Sequence, residues 1–231
     1  MGRVAAVRVR RRVLAGLGGA AALGVLAVLT ATPSVGDAPA RAAALAAAHR
    51  SGPPLTVLPD RITVAVLAVE DHRFYLHDGL DPLALPRVAR AALSGTERGG
   101  ATIEAQLAKW LYTDGRRTRD AQAEQVVLAY KLDAVYSKSE ILLMYLNTVD
   151  FGHGYYGVTA ACRGYFGVAP DRVDWSQAAL LAGLLQAPEA YEPHQHPAAA
   201  ANRRHEALLR LVSVGAISPA QAADADRSAL L

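Results

Sequence analysis

From residue 62 to the C-terminus, apolar residues recur at three- and four-residue spacing almost without a break. That is the period of helices with one buried face, and the two-residue alternation of half-buried strands is scarce. The spacing predicts helices over 62–71, 81–94, 102–113, 117–136, 138–147, 157–166, 174–186, 197–214 and 218–226, separated by Gly and Pro clusters. One start is written out: Ser137 ahead of Lys138-Ser139-Glu140 is the Ser-x-x-Glu pattern of a capping box. A chain so patterned folds as a mainly α body. With 231 residues, 52 % of them hydrophobic, it has material for one core of ordinary size. A lone Cys162 leaves no internal disulfide, so packing must hold the body together. With no activating group in view, the thiol reads as a small buried residue.

The N-terminus is of another kind. Arg3, Arg8, Arg10, Arg11 and Arg12 stand in the first twelve positions with no acid among them, and without those five the remaining 19 basic residues face 21 acidic ones. The body is therefore slightly acidic, which excludes a nucleic-acid partner recruited by a basic face. Residues 13–32 are uncharged and rich in Leu, Ala, Val and Gly, about the twenty residues that cross a bilayer as a helix. The arginines keep residues 1–12 in the cytoplasm, so the chain reads as a single-pass cell-membrane protein with its body on the extracytoplasmic face. A cleaved signal peptide is the competing reading, with Ala38-Pro39-Ala40 as its small-residue site. The length of the apolar run favours an uncleaved anchor. Residues 33–59, rich in Pro, Ala and Gly, read as a juxtamembrane linker with room for a short helix over 40–49, and 60–231 as the folded domain.

Glu70-Asp71-His72-Arg73-Phe74-Tyr75-Leu76-His77-Asp78-Gly79 begins where the apolar stretch 62–69 ends. Burial at such a margin raises a carboxyl pKa toward the range of a useful base, and Asp71 adds a like charge beside Glu70. Taken alone, these residues read first as a solvated charged turn. The histidines are scattered apart from His194 and His196 in a Pro-rich loop, and no metal-ligand spacing is found.

Four further segments follow in order: Gly99-Gly100-Ala101-Thr102-Ile103-Glu104-Ala105-Gln106-Leu107-Ala108-Lys109; Tyr136-Ser137-Lys138-Ser139-Glu140-Ile141-Leu142-Leu143-Met144-Tyr145-Leu146-Asn147; Phe151-Gly152-His153-Gly154-Tyr155-Tyr156-Gly157, running on to Tyr165-Phe166-Gly167; and Ala178-Ala179-Leu180-Leu181-Ala182-Gly183-Leu184-Leu185-Gln186-Ala187-Pro188. With the opening run they resemble the peptidoglycan glycosyltransferase (transglycosylase) domain of glycosyltransferase family 51, over residues 60–215. Lacking a penicillin-binding transpeptidase domain, the chain is similar to the monofunctional, membrane-anchored type. The resemblance implies a mostly helical, lysozyme-like fold that polymerises lipid II at the outer membrane face. In that scheme Glu70 is the general base. It takes the proton from the acceptor's 4-hydroxyl, which attacks the donor's anomeric carbon with inversion as undecaprenyl pyrophosphate leaves. Phe74, His77 and Gly79 match the rest of the first motif. The same likeness gives Gln106, Lys109 and Arg117 to substrate binding, with Asp71 and Thr102 beside them. A departing pyrophosphate calls for Lys and Arg clamps, with or without a divalent cation (Mg or Mn). The implied partners are lipid II, the nascent glycan strand, the membrane and other cell-wall synthesis enzymes.

The chain also departs from the family pattern. The third motif should read Arg-Lys-x-x-Glu, its glutamate being a second catalytic carboxylate; in register stands Ala121-Gln122-Ala123-Glu124-Gln125. Glu124 is one position early, about 100° round a helix, and serves as that carboxylate only if a one-residue bulge turns it inward. Ala101 replaces a serine, Glu104 and Ala105 replace Thr and Gln, and Leu143 and Gln177 replace glutamates. The stretch between Arg87 and Gly99, a lip over the donor site in the family, is short. The losses fall on the phosphate-binding side. Three functions follow in order of preference: a glycosyltransferase, weakened by these losses; a pseudo-transglycosylase that binds lipid II or glycan without turnover; and a muramidase-like hydrolase.

Overall fold

The computed structural model describes residues 30–83 and 102–231. Nine helices fall in that span: α1 (Ala38–Ala48), α2 (Asp60–Glu70), α3 (Ile103–Tyr112), α4 (Arg119–Val135), α5 (Lys138–Thr148), α6 (Val158–Phe166), α7 (Trp175–Leu184), α8 (Pro197–Ser213) and α9 (Pro219–Arg227). Short 3-10 turns at Phe74–Leu76 and Pro170–Arg172 join them. Among the described residues the extended pairing is a single bridge, Asp150 to Tyr156. The expected helix over 81–94, the Gly99-Gly100 turn and nearly all of the 13–32 apolar run lie outside the described residues. Among those described, no helix is long and apolar enough to cross a membrane.

The packing follows from which faces are apolar. Helix α7 is buried on every side, from Ser176 through Leu184 with only Gln177 partly open, so it forms the axis of the body. Helices α2 and α8 pack against α7 and against each other. Each fully buried Leu there, such as Leu180 or Leu208, contributes roughly 1.5–3 kcal/mol. Asp174 and Gln177 close a reciprocal capping box at the start of α7, which explains why an amide is welcome at position 177. The Ser137–Glu140 box opens α5 as its pattern predicts. Cys162 is fully buried, and desolvation pushes its thiol up to about 12, out of reach of nucleophilic use near neutral pH.

The segment expected as a linker belongs in large part to the body. Residues 35–231 form one compact unit, and Val35, Ala38 and Ala42 are buried in its core. Helix α1 lies on α5 and α3. Polar ties hold it there: Tyr136 Oη donates to the Val35 carbonyl at 2.9 Å, Tyr112 Oη to Asp37 at 2.9 Å, and Arg41 to the Leu111 carbonyl at 3.2 Å. The short helix expected over 40–49 is observed as α1, and alanine's small side chain lets so Ala-rich a stretch pack closely as a helix.

Candidate active site

Glu70 is the last residue of α2, whose stripe of Ile62, Ala65, Val66 and Ala68 is buried. Arg210 of α8 donates to the Ala68 carbonyl at 3.0 Å and fixes the end of that helix. The Glu70 carboxylate accepts a hydrogen bond from Gln106 Nε2 at 2.8 Å, and Gln106 Oε1 accepts one from Tyr145 Oη at 2.8 Å. Tyr145 is fully buried on α5, so a relay from the core fixes the orientation of the carboxylate. Burial raises the Glu70 pKa above the ordinary carboxylate range; the Gln106 hydrogen bond and the charges of Arg203 and Lys109 oppose the rise, and Asp71 adds a smaller upward push. The expected perturbation is present, with desolvation rather than the neighbouring acid as its chief source.

Asp71 and Thr102, expected at the substrate, are occupied by the fold. Asp71 turns inward, 7 % exposed, where its carboxylate meets His77 Nε2 at 3.0 Å and accepts from the Ile103 N–H at 3.2 Å. It thereby ties the first motif to the N-terminus of α3, where a negative charge is favoured. Thr102 caps the same helix, accepting from the Ala105 N–H and donating to the Gly79 carbonyl at 2.7 Å. Gly79 itself has φ +78°, and a Cβ there would lie 2.5 Å from the Ala129 carbonyl oxygen, so the loop can rest on α4 only as glycine.

Lys109, partly buried on α3, is near enough to bias Glu70 electrostatically. Arg203 of α8 does the same and is a site residue that the sequence reading does not contain. Its Nε donates to the Gly183 carbonyl at 3.1 Å, and a Cβ at Gly183 would come within 2.9 Å of the Arg203 stem. That glycine, inside an otherwise apolar helix, is the one signal that a side chain from elsewhere must cross α7 here. Arg117 is exposed in the stretch before α4. Helix α4 is α-helical throughout 119–135, without the bulge that Glu124 requires. Glu124 instead lies 4.0 Å from Arg116, an ion pair at the surface. Gln125 takes the inward position, and its Nε2 donates to Thr113 Oγ1 at 2.7 Å and to the Arg116 carbonyl at 2.9 Å.

Glu104, which stands where the family has Thr, is fully buried and faces Lys138 at 2.6 Å. Two groups among the described residues gather metal-ligating atoms, Asp71–His77–Glu104 and His153–Glu192–His194, and neither contains Glu70 or Glu124. Near Glu70, Lys109 and Arg203 carry positive charge and Asp71 negative charge, and the two cations suit an anionic group. The cations have a measurable consequence. Removing a positive charge near a carboxylate favours its protonated form. Arg203→Met is therefore expected to move the acid limb of the kcat/KM profile for glycan polymerisation to higher pH. An unmoved limb would show that Arg203 does not tune Glu70.

The chain has relatives over most of its length. A Cupriavidus necator protein bearing a provisional transglycosylase name is 36 % identical over 224 residues, 94 % of either chain. Penicillin-binding protein 1A of Aquifex aeolicus is 38 % identical over 166 residues, covering 71 % of this chain and 23 % of that protein, so the chain spans about a quarter of that relative's length. A solved structure of penicillin-binding protein 1A from Haemophilus influenzae aligns with TM-score 0.39 and 28 % identity over 56 % of this chain and 16 % of that one. Residues 39–212, the stretch that carries Glu70, Gln106, Lys109 and Arg203, match the transglycosylase family, and the chain belongs to that family of peptidoglycan glycosyltransferases.

Proposed function

We propose that the chain is a weak, membrane-anchored polymerase of lipid II with Glu70 as its general base. The observation that carries this reading is the Glu70 carboxylate, raised by burial and oriented by Gln106 and Tyr145. Glu70 takes the proton of the acceptor's 4-hydroxyl while that oxygen attacks the donor's anomeric carbon with inversion. The lipid pyrophosphate leaves as an anion that Lys109 and Arg203 are charged to receive. The reaction is slow because position 125 holds an amide where the family places its second carboxylate, and a lost transition-state group costs about a hundred- to a thousandfold in rate. The test is incubation of the full chain, in detergent or bilayers, with labelled lipid II. Polymer should form slowly, with release of undecaprenyl pyrophosphate. Lipid II that binds and is never polymerised would overturn the enzymatic reading.

Gln125 favours a second reading, a pseudo-transglycosylase that holds lipid II or glycan for other cell-wall enzymes. Its amide is built into the α3–α4 junction through two donated hydrogen bonds, so the position has a structural use that a carboxylate could not fill. In Gln125→Glu an acid would face the Arg116 carbonyl and leave that acceptor unpaired. Chemical denaturation should find this variant less stable by about 1–3 kcal/mol. Unchanged stability would mean that the amide is not needed there.

A further inference from the structure

Outside the Glu70 site, three side chains from two loops converge on one point at the surface. His153 lies between α5 and α6; Glu192 and His194 lie between α7 and α8. His194 Nδ1 is 2.8 Å and His153 Nδ1 3.4 Å from the same oxygen, Glu192 Oε1. Glu192 is fully buried, while the two imidazoles are 41 % and 44 % exposed and open toward water. The carboxylate is immobilised from below: Oε1 also accepts from the His194 N–H at 3.1 Å, and Oε2 from the Gln195 N–H at 2.8 Å. His153 holds φ +56°, a left-handed conformation uncommon for a residue with a side chain, flanked by Gly152 and Gly154 at φ +83° and +74°. Backbone held in that region concentrates where a side chain must be aimed. The loops touch directly, since a Cβ at Gly152 would lie 2.8 Å from the Pro188 carbonyl oxygen.

We infer that His153, Glu192 and His194 form a binding site for a zinc-class transition-metal ion. Two imidazole nitrogens and one carboxylate oxygen suit Zn, Ni, Co or Cu, whereas Mg and Ca prefer all-oxygen sites. Three protein ligands with an open, solvent-facing fourth position is the usual arrangement of an accessible zinc site. The three donor atoms lie within 4.8 Å of one another. Ligands of a tetrahedral zinc at about 2.0–2.1 Å are about 3.3 Å apart, and small rotations of two exposed rings close the difference. The metal would replace the proton now shared between His194 and Glu192. It would staple the α5–α6 loop to the α7–α8 loop, which leads into the helix that carries Arg203.

The test uses tag-free full-length protein and Zn2+ alone, titrated by calorimetry, with Co2+ as a spectroscopic probe. One equivalent of Zn2+ should bind saturably and raise the melting temperature. His153→Ala and His194→Ala should each weaken binding by at least about tenfold and remove the thermal shift. His205→Ala, whose imidazole pairs with Asp226 elsewhere, should bind as the parent does. Circular dichroism verifies that the variants are folded. Absence of saturable binding, or affinity unchanged in folded His153→Ala, would overturn the site.

Discussion

Glu70→Gln is expected to lower the rate of lipid II polymerisation by about 10²- to 10⁴-fold, the contribution of a positioned general base. The substitution keeps the shape of the side chain, and Gln106 Nε2, now 2.8 Å from a Glu70 oxygen, can still donate to an amide oxygen. What disappears is the ability to accept a proton. The fold should not suffer. Burial raises the Glu70 pKa, so near neutral pH the folded state bears the cost of a desolvated charge that the unfolded chain does not. Glu70→Gln should therefore melt no lower than the parent at neutral pH and bind lipid II as well. Polymerisation within tenfold of the parent would remove Glu70 as the base. In the parent, the rate should fall as pH drops through the raised pKa of Glu70, at a higher pH than an ordinary glutamate would give.

The sequence locates this carboxylate better than it locates its surroundings. Glu70 follows from local order, at the foot of an apolar helix, and the helix boundaries follow from period and caps. The inward placement of Gln125 follows from α4 being a regular helix, since one residue of register is about 100° of rotation. Asp71 and Thr102 were not legible as supports. Both depend on how the backbone leaves α2 at φ −154° and enters α3, a turn that no pattern in the sequence records. Arg203 stands 133 residues after Glu70, and only Gly183 hints at its passage across α7. Glu104 is different, because its burial could have been seen. It shares α3 with buried Ile103, Leu107, Ala108 and Leu111, and positions 104, 108 and 111 lie on one helical stripe. Its partner could not, since Lys138 is 34 residues away on another helix.

That partner gives the largest expected effect on stability. Lys138 Nζ lies 2.6 Å from Glu104 and 2.6 Å from Asp133, and 4.7 Å over the ring of Phe74. The ammonium thus joins α3, α4 and α5 beneath the loop that carries the first motif. Burial opposes the charge of Lys138, but hydrogen bonds to Asp133 and Glu104 outweigh it and raise its pKa. Glu104 is fully buried and already has one oxygen, Oε2, without a hydrogen-bond partner, so its charge depends on the lysine. Lys138→Met keeps the stem and deletes the ammonium, leaving a carboxylate in the core. The expected cost is about 3 kcal/mol, toward the lower end for a broken buried pair because the lysine is 19 % exposed and Asp133 can recover water. For a body of this size that is roughly 6–12 °C in melting temperature. Burial already raises the Glu104 pKa, and losing the lysine raises it further. A group with a raised folded-state pKa contributes stability below its unfolded pKa and loses it as pH rises through the folded value. The deficit of Lys138→Met should therefore be small in acid and grow toward neutral pH. Adding Glu104→Gln should recover most of it, because the orphaned charge is then gone. A deficit independent of pH, or one that Glu104→Gln does not reduce, would mean that Lys138 matters through its packing on Phe74 and not through its charge.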